Sequence, residues 1–176
     1  MEFLLDQTIL VAKIEPFDEL EEYSKSALEN KIPLGDVKYT SLKEEYQMDI
    51  PPKFEQWLCK TIDNTFVLHK PEYGIYGVDH TKLKIRGMWT NRMSKGEQHY
   101  PHIHQKSFYS FAAYIKTSND DAPFYFIKDN KGTPIQIDEN SAGHIIIFPS
   151  TLIHTVYPKM TDGERISVSG NIIINV

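Results

Sequence analysis

The sequence predicts a mainly β fold with helices towards its N-terminus. Two observations carry this: apolar residues recur with period two from Leu83 onward, and clusters of turn-forming residues cut that region into short strands of similar length. Strands at such spacing pack into a sandwich or barrel. With 176 residues the chain is expected to be a single domain, 1–176, because that length buries one sizeable core and leaves too little for two. Within it, residues 1–80 read as a mixed helical and strand leader packing on a β core formed by 81–176.

Residues 17–30 place Phe17, Leu20, Tyr23, Ala27 and Leu28 near helical spacing, with acids in the first turn where the helix dipole favours them, which predicts a first helix. A second is expected after Pro51 and Pro52, since proline suits a first helical turn. Its apolar stripe is Phe54, Trp57, Leu58, Ile62 and Phe66, running to about residue 69. From Leu83 the period shortens, and Leu83, Ile85, Gly87, Trp89 and Asn91 are expected on one face of a strand. Further strands are expected over 108–116, 123–128, 133–138, 143–148, 154–157 and 165–174. The segments 118–121, 128–132 and 161–163 carry the Asn, Asp and Gly that turns between them require.

Composition excludes several functions. The net charge of −5 comes from 19 basic and 24 acidic side chains with no basic block, so direct nucleic-acid binding is not expected. No apolar run approaches the roughly 18 residues of a membrane span. The first 13 residues lack both a basic start and a small-residue cleavage site, so secretion is not expected either. The single cysteine, Cys59, precludes an internal disulfide and fits a reducing cytoplasm; it reads as a buried, inert thiol. A homodimer is compatible with all of this.

Chemistry concentrates in the second half. His102 and His104 stand two apart, so on a strand both side chains point to one face and can converge on a metal, for which neutral imidazole is the commonest protein ligand. Fifty residues on, an apolar strand runs through Phe148, Pro149 and Ser150 into a turn and presents His154. Arg165 follows, and with Ser167, Ser169 and Asn171 shares one face of the last strand, opposite Ile166, Val168, Gly170 and Ile172. Such a face reads either as solvent-exposed or as the wall of a cavity, and one Arg followed by small hydrogen-bonding residues suits a cavity wall at least as well as a solvated strand, which would more often carry Lys and Glu.

The ordered set Trp89 and Asn91, Gly96, His102 and His104, Phe108 to Phe111, Phe148 to Ser150, His154, and Arg165 with Ser167 resembles the iron(II)- and 2-oxoglutarate-dependent oxygenases. The likeness is greatest to small oxygenases of phage and bacterial genomes, and it covers residues 83–174. It implies a double-stranded β-helix, a jelly-roll or cupin-like barrel. It also implies Fe(II) held by His102, His104 and His154, and 2-oxoglutarate held by Arg165 with Ser167, Tyr109 and Asn91. Oxidation of a small molecule or protein side chain would follow, coupled to decarboxylation of the keto acid. The chain departs from the wider superfamily in one place. His104 stands where most members carry Asp or Glu, which leaves the site one unit more positive. His99 and His144 are alternative ligands, His99 being out of phase with the other two on a regular strand. Two further readings stand beside this one: a three-histidine cupin-type dioxygenase or isomerase that uses no 2-oxoglutarate, and a noncatalytic ligand-binding β-barrel.

Overall fold

The computed structural model describes residues 2–4, 9–35, 39–67 and 82–175. Eleven strands and two α-helices follow one another as β1 (Glu2–Leu4), β2 (Ile9–Lys13), α1 (Phe17–Asn30), β3 (Glu44–Gln47), α2 (Pro52–Ile62), β4 (Leu83–Met93), β5 (His99–His102), β6 (Tyr109–Lys116), β7 (Asp121–Lys128), β8 (Lys131–Ile137), β9 (His144–Pro149), β10 (Ile153–Val156) and β11 (Arg165–Ile174). They form two antiparallel sheets. The larger has the order β1-β2-β9-β6-β11-β4-β3 and the smaller β5-β10-β7-β8. Between the facing sheets lies one apolar cluster, with Ala112, Tyr114, Ile146 and Phe148 meeting Phe124, Phe126 and Val156. This mainly β architecture is the one expected.

A second core lies behind the larger sheet, where Leu20 and Tyr23 of α1 and Phe54, Leu58 and Ile62 of α2 pack on Leu83, Ile85, Phe111, Val168 and Ile172. Each fully buried Phe or Leu there contributes about 1.5–3 kcal/mol relative to exposure. Polar bonds fix the helices on the sheet. Tyr23 donates its hydroxyl to the Met88 carbonyl at 2.8 Å. The Glu19 carboxylate accepts the Phe54 N–H at 2.7 Å, taking up one of the free donors at the start of α2. Glu55 accepts the Ile85 N–H at 2.8 Å, on the stretch of β4 that β3 leaves uncovered. Cys59 is buried in this core, and burial pushes its thiol up to about 12, so it is inert at neutral pH.

Two expectations change. α2 ends at Ile62 and continues as a π-helical turn over 63–67, so the regular α-helical stripe stops earlier than predicted; the rest of the expected helix, to residue 69, lies outside the described residues. The alternation along β4 also breaks. Asn171 pairs with Gly87 but Ile172 pairs with Ile85, so Arg86 is an extra, bulged residue. Beyond it the phase inverts: Met88 and Thr90 are buried behind the sheet's cavity face, while Gly87 and Trp89 turn to the other side, and Arg86 joins Gly87 there. The strands expected in the leader without bounds are β1, β2 and β3, and the strand expected to carry His102 and His104 is β5, which ends at His102.

Candidate active site

Strand register brings the three candidate histidines together. β10 pairs antiparallel with β5 so that His154 lies directly opposite His102. His104 lies just past the end of β5, outside the strand on which it was expected. It is held there because its N–H donates to the Ser150 carbonyl at 2.9 Å. Ser150 is fully buried, and its hydroxyl meets Ser110 at 2.8 Å while Ser110 donates to Asn171 Oδ1 at 2.8 Å. The Phe-Pro-Ser turn, the serine of β6 and the last strand therefore act together to place His104. The three rings come within 4.3 Å (His102 to His154), 4.9 Å (His102 to His104) and 5.1 Å (His104 to His154), centre to centre.

These three residues offer ligand nitrogens that all lie within 4.8 Å of one another. The ring environments suit an ion. His102 Nδ1 is 2.6 Å from the Tyr100 carbonyl and His154 Nδ1 is 2.9 Å from the Leu152 carbonyl. An N–H on Nδ1 of each ring satisfies those carbonyls and leaves the Nε2 lone pair free, the arrangement that metal-ligating histidines ordinarily show. Burial lowers all three imidazoles below the usual histidine range, His104 to about 4 with repulsion from His102 added, so they are neutral and ready to ligate at pH 7. No carboxylate joins this group among the described residues. His99 lines the same cavity but does not belong to the convergent group, and His144 sits at the far start of β9 opposite Lys13.

The histidines stand at the edge of a cavity of about 350 Å3 between the two sheets, lined also by Trp89, Met93, Tyr114, Phe148, Arg165, Ser167 and Ser169. The last strand thus presents to the cavity the face expected of it. Arg165 is almost wholly buried there. Its Nη2 donates to Asp121 Oδ1 at 2.9 Å and to the Ala122 carbonyl, and its Nη1 faces the Met93 sulfur at 3.7 Å. Asp121 in turn lies 3.2 Å from the Nζ of Lys159, which is also fully buried. Burial would raise the Asp121 carboxyl, but the two cations, with Arg165 the stronger, hold it below the usual range. One donor edge of Arg165 remains open: its Nε is buried without a hydrogen-bond partner, and so is the Tyr114 hydroxyl. The guanidinium carbon is 5.8 Å from the centre of the Tyr114 ring.

Two of the expected co-substrate residues are placed differently. Tyr109 lies on the opposite face of β6, buried in the helix-side core, because only Ser110, Ala112 and Tyr114 share the cavity phase of that strand. Asn91 does not reach the cavity; it is buried behind Ser169 and donates Nδ2 to Ser169 Oγ at 3.0 Å. Arg165 itself pairs with Asp121. Sequence reasoning missed Tyr114, Asp121 and Lys159. Tyr114 was within reach, since it continues the period-two set begun by Ser110, whereas Asp121 was read as a turn residue, Lys159 fell between the expected elements, and the two meet only through the fold. Beyond the histidines a second, more open recess of about 900 Å3 is lined by Tyr39, Gln47, Arg86, Gly87, Gln105 and Asn171. Tyr39 stacks on His102 at 5.5 Å between ring centres.

The model of a family described as "Putative 2OG-Fe(II) oxygenase" matches residues 87–139 and 128–171, which together span the sequence from β4 nearly to the end of β11. No curated protein matches the chain. Among solved structures, a Pseudomonas putida prolyl-4-hydroxylase superposes with a TM-score of 0.62 at 14% identity, covering 95% of this chain and 92% of that one. The viral collagen prolyl hydroxylase of Paramecium bursaria Chlorella virus-1, in its 2-oxoglutarate complex, gives 0.62 at 14% identity, with 94% and 95% covered. HygX from Streptomyces hygroscopicus, with nickel and 2-oxoglutarate bound, gives 0.57 at 14% identity, with 95% and 83% covered. These likenesses agree with the double-stranded β-helix as the common architecture.

Proposed function

We propose that the barrel half of this chain is that of a 2OG-Fe(II) oxygenase, in which His102, His104 and His154 hold Fe(II) while Arg165 holds the far carboxylate of 2-oxoglutarate. The observation that carries the assignment is the pair of buried donors without partners, Arg165 Nε and Tyr114 Oη, in the same cavity as the three histidines. A buried donor left unpaired costs about 1–3 kcal/mol, and one carboxylate can accept from both. Ser167 and Ser169 line the same wall and supply further hydroxyls, with Asn91 orienting Ser169.

Bound Fe(II) supplies the oxidising chemistry of the class, in which 2-oxoglutarate and dioxygen give succinate and carbon dioxide as a substrate C–H bond is hydroxylated. The chain's own residues position and exclude. Phe148, Phe124 and Met93 keep the inner cavity apolar, which strengthens the charged contacts to the co-substrate. The primary substrate, a small molecule or a protein side chain, approaches through the outer recess. There the bulge at Arg86 sets that guanidinium and the bare backbone of Gly87 side by side within reach of the histidines. We place the protein in the cytoplasm on the strength of its one buried, unpaired cysteine. No helix among the described residues is long and apolar enough to cross a membrane.

The test is succinate release from 2-oxoglutarate by protein loaded anaerobically with Fe(II), then exposed to oxygen. Succinate formed only with both metal and oxygen is the expected result. Its absence, together with no binding of the keto acid to metal-loaded protein, leaves the cupin-type or noncatalytic readings.

A further inference from the structure

Asp121 sits between two cations, with its Oδ1 2.9 Å from Arg165 Nη2 and 3.2 Å from Lys159 Nζ. All three side chains are buried, at 0%, 3% and 0% exposure for Asp121, Arg165 and Lys159. Two positive charges against one negative leave the group with a net charge of one positive unit inside the protein. Such a charge is costly to hold without an anion, and the cost falls when an anion arrives. Lys159 does not line the cavity. It is turned away from it, donating to Thr161 at 2.8 Å and Ser118 at 3.3 Å. Its partner Asp121 would otherwise neutralise Arg165, which is the one member of the group on the cavity wall.

We propose that Lys159 is a positioning and specificity residue: by offsetting Asp121 it keeps the Arg165 end of the cavity positively charged, so that the site selects keto acids carrying a second carboxylate. Asp121 provides the geometry. By taking Nη2, with the Ala122 carbonyl, it holds the guanidinium in place while Nε–H stays unpaired. The inference rests on the co-substrate reading above and goes beyond it, since Lys159 itself touches no ligand.

The test compares 2-oxoglutarate with 2-oxobutanoate, which keeps the metal-chelating keto-acid head but lacks the far carboxylate. Both are titrated calorimetrically into Mn(II)-loaded wild type, Lys159→Met, Lys159→Gln, Lys159→Arg and Arg165→Ala. Lys159→Met and Lys159→Gln are expected to weaken 2-oxoglutarate about tenfold, on the scale of one buried charge interaction, and to leave 2-oxobutanoate unchanged. Lys159→Arg is expected to recover most of the loss. Lys159→Gln retains hydrogen bonding to Thr161 and Ser118 and serves should the methionine variant not fold. Equal weakening of both keto acids makes Lys159 merely structural, and unchanged 2-oxoglutarate affinity in a folded charge-neutral variant also overturns the proposal. Arg165→Ala separates the two levels: if that variant binds 2-oxoglutarate normally, the co-substrate assignment itself is wrong.

Discussion

Tyr114 and Tyr109 differ by five positions on one strand and face opposite cores, so substituting each by Phe separates the cavity from the scaffold. Tyr114 is fully enclosed, and burial pushes its hydroxyl above the usual tyrosine range, so it remains a protonated donor at any working pH. Tyr114→Phe should weaken 2-oxoglutarate on Mn(II)-loaded protein about three- to tenfold, the size of one hydrogen bond, with metal affinity unchanged. Tyr109→Phe should leave co-substrate affinity at the wild-type value. The reverse pattern in calorimetric titration would restore the residue first expected from sequence. The metal ligands admit an equally specific comparison. His102→Ala, His104→Ala and His154→Ala should each abolish stoichiometric Fe(II) or Mn(II) binding, whereas His104→Asp should retain it, because the carboxylate restores the commoner ligand at a position already aimed at the ion. Retained affinity in His104→Ala, with loss in His99→Ala, would reassign the third ligand.

At the scale of elements, the last strand was the most legible. Its bounds, its polar face and its apolar face follow from strict alternation, and Val168 and Ile172 do lie in the helix-side core. The bounds of β3 were invisible because it does not alternate: Glu44–Gln47 is an edge strand of four polar or half-buried residues, whereas the strand of His102 was expected but ends before His104. The bulge at Arg86 was also unreadable, since it depends on how β4 registers with β11 some eighty residues later. Within β11, Gly170 is fixed by close approach. A Cβ there would meet Phe111 ring atoms at 2.6 Å and the Gly87 carbonyl at 2.7 Å. Gly170→Ala should therefore cost about 1–3 kcal/mol in urea unfolding, because the carbonyl belongs to the bulge and cannot move freely. A variant as stable as wild type would mean the contact between β4, β6 and β11 is looser than described.

For the whole molecule, the histidine cluster links stability to pH. His99 is lowered to about 3 by burial and the neighbouring charges of His102 and Arg165, and His104 to about 4, against about 6.5 in the unfolded chain. The unfolded state therefore binds more protons just below pH 6.5, so stability is fully present above that pH and falls as pH drops towards 4. In a Glu45→Gln background, which removes a half-buried carboxyl raised to about 7 that titrates with the opposite sign, metal-free protein should show a urea midpoint that declines between pH 7 and 5, and Mn(II) should raise the midpoint across that window. A flat midpoint across that window would contradict a buried neutral cluster. The convergence of the three histidines was readable because two near one strand end and a third at a turn obey short-range geometry. The charged group behind Arg165 was not, because Asp121 and Lys159 meet it only when β7, the 157–164 connection and β11 are assembled. The central claim is that three histidines and one arginine complete a metal and keto-acid site. It is tested most directly by a crystal soaked with Mn(II) and 2-oxoglutarate and measured for anomalous scattering. The account predicts one metal peak bounded by His102, His104 and His154, with the far carboxylate of the keto acid on Arg165 and Tyr114. A peak on other residues, or a keto acid bound away from Arg165, would contradict it.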